Sequence, residues 1–316
     1  MNDLIAELRR GNVRALARAI TLVENRGPGS EELVRRLYRE SGRGRVIGVT
    51  GSPGSGKSTL VDCLAREYSS RSRAVGVIAV DPSSPFTGGA LLGDRVRMPG
   101  LEGLEGAFVR SMATRGNLGG LAAATSDVVT LLDASGRDPI FIETVGVGQD
   151  EVDIVGVADL SIVVLVPGMG DDVQALKAGI MEIGDIFVIN KSDHPGADKI
   201  ERTLEDMLAL SPNHGSSRSI IRTVATEGSG VGDLVAAIDR ASGKPGREAG
   251  PNARQRRAAE NRLRALLAER LVAGIFRSVV SADAFEASIE AVALRKTDPY
   301  TVVDDILQHV RFGEQS

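Results

Sequence analysis

A chain of 316 residues with 42% apolar side chains can close a large core, and a formal charge of −4 offers no general field for DNA or RNA. Aromatic residues make up only 3% and tryptophan is absent, which argues against stacking platforms for single-stranded nucleic acid. A lone Cys63 rules out an internal disulfide and fits a reducing cytoplasm, the first residues lack a signal-peptide apolar core, and no apolar run approaches a membrane span, so a cytoplasmic protein with no nucleic-acid or membrane partner is expected.

Residues 1–44 read as a helical arm. Leu4, Leu8, Val13, Leu16, Ala17 and Ile20 recur at helical spacing, Gly27-Pro28-Gly29 interrupts them, and Ser30, Glu32 and Leu33 restart the pattern as far as Tyr38. From 45 to 240, apolar runs at 46–49, 75–80, 108–110, 140–142, 162–166, 186–189 and 220–224 read as strands. Helical patterns fall at 57–70, 118–134, 172–180, 197–210 and 231–240. Apolar strands separated by helices predict an α/β fold with a mostly parallel central sheet covered on both faces. In such sheets ligands bind beyond the carboxyl ends of the strands. Residues 241–251 are rich in Gly and Pro and read as a linker. The region 252–316 begins with a long helix carrying Ala259, Leu263, Leu266, Leu267, Leu271 and Ile275 on one face, its arginines reading as a solvated face. Helices near 282–294 and 302–311 follow, with Asp298-Pro299 between them. So short a helical stretch does not easily close a core of its own, so it should dock on the rest of the chain or pair with a second copy.

The chemistry concentrates at the strand ends. Gly51-Ser52-Pro53-Gly54-Ser55-Gly56-Lys57-Ser58-Thr59 follows the first apolar run and fits G-x-x-x-x-G-K-[ST], the phosphate-binding loop of P-loop NTPases. Its glycines let backbone N–H groups wrap a polyphosphate, with the helix dipole behind them. Lys57 would reach the β- and γ-phosphates and Ser58 would ligate Mg²⁺. Asn190-Lys191-Ser192-Asp193 follows another strand and matches the N-K-x-D base loop of GTPases. The Asp193 carboxylate can accept from both guanine N1–H and the exocyclic amine, whereas adenine would leave it facing a lone pair. Asn190 would hold the loop and contact O6/N7, and the Lys191 stem would cover the ring. Ala225, Thr226 and Glu227, after the last strand, would offer backbone N–H groups to the base. Asp81, Asp94 and Glu143 lie at or near strand ends and are hard-oxygen candidates for Mg²⁺ beside Ser58. Gly146 would give its N–H to the γ-phosphate and couple its loop to nucleotide state.

These segments, with Gly88–Met98, Glu143–Gln149 and Pro167–Asp171, resemble the MeaB/ArgK family, methylmalonyl-CoA mutase-associated GTPases of the SIMIBI class of P-loop proteins. The match runs through nearly the whole chain. The resemblance implies a Mg²⁺-dependent GTPase that is a chaperone for an adenosylcobalamin-dependent acyl-CoA mutase, methylmalonyl-CoA mutase first among them, gating cofactor loading and protecting the mutase. It also implies a homodimer through the C-terminal tail, and responsive loops at about 81–98, 143–158 and 167–179. Lys177 resembles a lysine that couples partner binding to hydrolysis, which completes a candidate catalytic set of Lys57, Asp94, Glu143 and Lys177. Val147 stands where Ras-like GTPases carry a water-orienting glutamine, and valine cannot orient water. Slow intrinsic hydrolysis, raised when a partner orders Asp94, Arg95, Arg97 or Lys177, is therefore expected. A metallochaperone-type SIMIBI GTPase and a GTP switch with negligible catalysis are the alternatives.

Overall fold

Seven runs become the strands of one sheet, and the central ones are buried on both faces, as parallel strands covered by helices must be. The computed structural model describes residues 1–81, 98–101, 103–113, 120–144, 157–168, 184–209, 218–242 and 253–310. The chain divides into two compact units, Met1–Ala258 and Ala259–Ser316.

In the first unit the strands are β1 (Val46–Gly51), β2 (Val75–Asp81), β3 (Ala107–Ala113), β4 (Ile140–Glu143), β5 (Leu160–Leu165), β6 (Ile186–Ile189) and β7 (Ser219–Arg222). Among the described residues they pair in parallel in the order β3-β2-β4-β1-β5-β6-β7. The order turns back at β1, with β4 on one side and β5 on the other. Val49 is in register with Glu143, so the end of β4 lies beside the start of the phosphate loop. A topological switch of this kind opens a crevice at the carboxyl ends of the strands.

One face of the sheet is covered by α4 (Lys57–Ser70) and α7 (Val231–Ala241), whose Leu60, Leu64, Leu234 and Ile238 pack on Ile47, Val49, Phe141 and Val164. The arm supplies the other face: α1 (Asn2–Arg9), α2 (Val13–Glu24) and α3 (Ser30–Tyr38) join α5 (Gly120–Ala134) in a cluster with Ile78, Ile140 and Ile142. Helix α6 (Ala197–Ala209) covers β5 and β6 through Leu204. The arm is fastened by charge as well. Arg110 of β3 pairs with Glu24, and buried Asp133 of α5 accepts backbone N–H groups of Gly42, Arg43 and Gly44.

The arm breaks where apolar spacing does not show it. Gly11 adopts φ 76° and Asn12 caps α2 by accepting from the N–H groups of Arg14 and Ala15, 2.9 and 3.1 Å away. Val13, expected on the buried face, is 53% exposed, because the break resets the helical phase. The expected strand at 220–224 ends at Arg222, and Val224 instead bridges Ser229. The helical pattern at 172–180 lies outside the described residues.

The second unit contains most of α8 (Ala253–Ser278), with α9 (Ala282–Ala293) and α10 (Pro299–Gln308). Asp298-Pro299 opens α10 rather than separating two helices, since Asp298 accepts from the N–H groups of Tyr300 and Thr301 and proline suits the first helical position. Phe276 and Phe285 meet edge to face at 4.7 Å, yet neither α9 nor α10 has a buried residue.

Candidate functional site

At the end of β1 the chain must turn away from the sheet within one residue. Gly51 does this at φ 143°, where an added Cβ would lie 2.2 Å from the Val164 carbonyl oxygen. Gly56 sits at φ 87°, and a Cβ there would stand 2.4 Å from Asn190 Nδ2. Glycine is required at both by conformation and by space. Pro53, Gly54, Gly56, Lys57, Ser58 and Thr59 then line a cavity of about 450 Å³ together with Glu143, Thr144 and Lys191. Lys57 is buried, and its Nζ donates to the carbonyls of Gly51 at 2.6 Å and Ser52 at 3.0 Å. The ammonium is thus stored against its own loop, where an arriving anion can draw it over. Ser58 Oγ donates to Glu143 Oε1 of the buried Glu143 carboxylate.

A second cavity, about 300 Å³, is lined by Asn190, Asp193, His194, Val224, Ala225 and Thr226, and shares Gly56, Thr59 and Lys191 with the first. Asn190 joins the loops around it. Its Nδ2 donates to the Ser55 carbonyl at 2.8 Å, and its Oδ1 accepts from Thr223 Oγ1 and from the Ala225 N–H, both at 3.1 Å. One buried amide therefore fixes the phosphate loop, the N-K-x-D loop and the 223–225 loop in a single frame. Lys191, at φ 53°, spans from the second cavity to the Gly54 carbonyl, 2.9 Å from its Nζ. The Asp193 carboxylate is half-exposed on the cavity wall, with His194 Nε2 at 3.7 Å.

Some expected contacts are redistributed. The Ala225 N–H serves Asn190, and those of Glu227 and Gly228 close a tight turn on Val224 and Ala225, whereas the Thr226 N–H enters none of these bonds. Thr223, whose hydroxyl helps orient Asn190, belongs to no motif, and its sequence signal is only a threonine two places before Ala225. Cys63 is half-buried, with Sγ 3.0 Å from the Ala225 carbonyl. Burial, then Asp62, pushes its thiol above the ordinary range, which keeps it neutral. Asp81 ends β2, the neighbour of β4. Asp94, Gly146 and Lys177 lie outside the described residues.

Residues 16–279 match the model of the family described as "Methylmalonyl Co-A mutase-associated GTPase MeaB". The chain belongs to the MeaB family. A Pyrococcus abyssi protein provisionally named a GTPase is 45% identical over 99% of this chain and 98% of its own. The GTPase ArgK of Escherichia coli is 42% identical over 60% of this chain and 59% of its own. A crystal structure described as the LAO/AO transport system kinase superposes with a TM-score of 0.71 at 26% identity, covering 97% of this chain and 96% of that one. The MeaB-family chain is a P-loop GTPase, and the two adjoining cavities lie at the carboxyl ends of the strands, where open α/β sheets bind ligands.

The site suits Mg²⁺ by donor chemistry. Ser58 Oγ and the Glu143 carboxylate bring two hard oxygens together at the edge of the phosphate cavity. Among the described residues no group of three or more Asp, Glu, His or Cys could cage a metal, and Mg²⁺ normally completes its shell with waters and substrate phosphates. No described helix is long and apolar enough to cross a membrane.

Proposed function

We propose that this MeaB-family GTPase binds GTP with Mg²⁺ in the paired cavities and acts as a G-protein chaperone of an adenosylcobalamin-dependent acyl-CoA mutase, methylmalonyl-CoA mutase being the preferred client. It gates loading of the mutase cofactor and protects the mutase from inactivation. The observation that carries the reading is the Asn190 amide, which locks the base loop to the phosphate loop. Asp193 then stands on the wall of a cavity that adjoins the one lined by Lys57. The family description supports the client.

In this reading the triphosphate draws Lys57 Nζ from the Gly51 and Ser52 carbonyls, and the N–H groups at the start of α4 bind its oxygens. Asp193 accepts from guanine N1–H and the amine, the Thr226 N–H is free to donate to O6, and the Lys191 stem covers the ring. Ser58 and Glu143 would hold Mg²⁺, which neutralises charge building on the phosphoryl oxygens. Lys57 supplies the rest of what the described residues offer, so intrinsic hydrolysis is slow. Asp94, Arg95, Arg97 and Lys177 are the groups a bound mutase would order, and a charge-completing contact of this kind is worth ~10³–10⁵ in rate. The leucine-rich face of α8 supports a homodimer, since Leu263, Leu267 and Leu271 are all exposed.

Phosphate release measured with and without purified methylmalonyl-CoA mutase tests this. Stimulation that is lost in Lys177→Ala is expected. An unchanged rate with the mutase, together with its absence among proteins co-purifying from extract, would remove the client assignment.

A further inference from the structure

We propose that the N-terminal arm carries a second anion site, separate from the nucleotide cleft, that takes a small phosphate-bearing molecule. Between α1 and α3 lies a cavity of about 450 Å³, as large as the phosphate cavity beside Lys57. It is lined by Asn2, Ile5, Arg9, Arg35, Arg36 and Arg39, four arginines with no acidic residue among the described lining residues. Residues 1–44 hold nine arginines against six acidic residues in a chain whose formal charge is −4, so positive charge is gathered here against the overall balance.

Arginines of the lining reach glutamates that are not among its described residues. Arg9 pairs with Glu40, Arg35 with Glu31 at 3.3 Å, and Arg36 with Glu32 at 2.7 Å. Arg36 also donates to Asn2 Oδ1 at 2.7 Å, which draws its guanidinium across from α3 to α1. These pairs are all well exposed, and ion pairs in that setting contribute little and exchange readily. A phosphate offers parallel acceptors to several guanidinium forks at once, which scattered single carboxylates do not. Ile5 is buried and gives the concavity an apolar floor. Basic residues in the last turns of α1 and α3 also offset the two helix dipoles. Dipole compensation explains a cation at each helix end. It does not explain why arginines of both helices line one concavity that has no acid among its described lining residues. The volume is in the usual range for small-molecule sites, ~300–1,000 Å³.

The test uses the full chain loaded with GDP and Mg²⁺, so that the cleft at Lys57 is filled, and inorganic phosphate as the probe. Binding is followed through the Ile5 methyl NMR signals. A saturable shift is expected, weakened by about tenfold or more in Arg9→Gln/Arg36→Gln, with GDP affinity unchanged. Lysine at the same two positions should restore only part of it, because lysine lacks the planar fork. Arg35→Gln, a change at a well-exposed side chain, gives the same reading if the double variant does not fold. No saturable shift at Ile5, or an equal shift in the variants, overturns the proposal. A shift produced by poly-glutamate but not by phosphate also overturns it and marks a protein-docking surface instead. GDP loading is read separately, so a failure at the nucleotide cleft cannot be mistaken for a failure here.

Discussion

The two compact units solve the burial problem in opposite ways. In Met1–Ala258 every residue of β1, β4, β5 and β6 is buried, and helices close over both faces of the sheet. In Ala259–Ser316 the leucines at 263, 267 and 271 are exposed, and neither α9 nor α10 buries a side chain. A unit of that size cannot bury a core as complete as the sheet's, and its leucine stripe stays exposed. The contrast separates a densely packed sheet, which positions the phosphate and N-K-x-D loops at its strand ends, from a helical unit that leaves leucines exposed.

The largest expected effect separates the units by mutation. Phe141, fully buried and 6.1 Å from the Tyr68 ring, should lose ~3–5 kcal/mol of stability as alanine, measured by denaturant unfolding. Leu267→Glu should leave that unfolding midpoint in place and change only the self-association seen by sedimentation. A lowered midpoint for Leu267→Glu in dilute monomer would mean that the second unit does close its own core.

Smaller, and confined to the first unit, is Gly56→Ala. The left-handed backbone and the 2.4 Å approach to Asn190 Nδ2 mean that the methyl must push the amide away from Ser55. Nucleotide affinity should fall by about tenfold or more while the fold survives, a loss visible by calorimetric titration. Retained affinity would show that the Asn190 frame is not needed.

The smallest effect is electrostatic and lies in the arm's attachment. Burial raises the Asp133 carboxyl above 3.8, with the N–H groups of Gly42, Gly44 and Arg43 opposing the shift. The folded chain then binds this proton more readily than the unfolded one, so the contribution of Asp133 favours folding as pH falls through its folded value toward 3.8 and lessens as pH rises. Asp133→Asn should remove that slope from the urea midpoint measured across this range.

Much of this contrast was legible in the sequence. Strand cores such as 46–49 and 186–189 are short, apolar and bounded by turn residues, and the two nucleotide loops sit directly after them. What stayed hidden depends on tertiary partners. The break at Gly11-Asn12 is invisible to spacing because Val13 continues the apolar rhythm although it faces solvent. Asp133 gives no sign in sequence that it will bind three N–H groups some ninety residues away. Asn190 was recognised as a base-loop residue, but its hold on Ser55 and Thr223 comes from the parallel packing of β1, β5, β6 and β7, which places distant loop ends side by side. Asp298 reads as a break until the cap it forms is seen.

The central claim is that a single acid on the wall of the second cavity selects guanine for a triphosphate held by the loop at Lys57. Competitive titration of GTP, ATP and xanthosine triphosphate against the Mg²⁺-supplemented protein and its Asp193→Asn variant tests it directly. The account predicts a preference of at least about a hundredfold for GTP over ATP in the native chain, and a switch toward xanthosine triphosphate in the variant. Equal binding of ATP, or a variant that still prefers GTP, would contradict it.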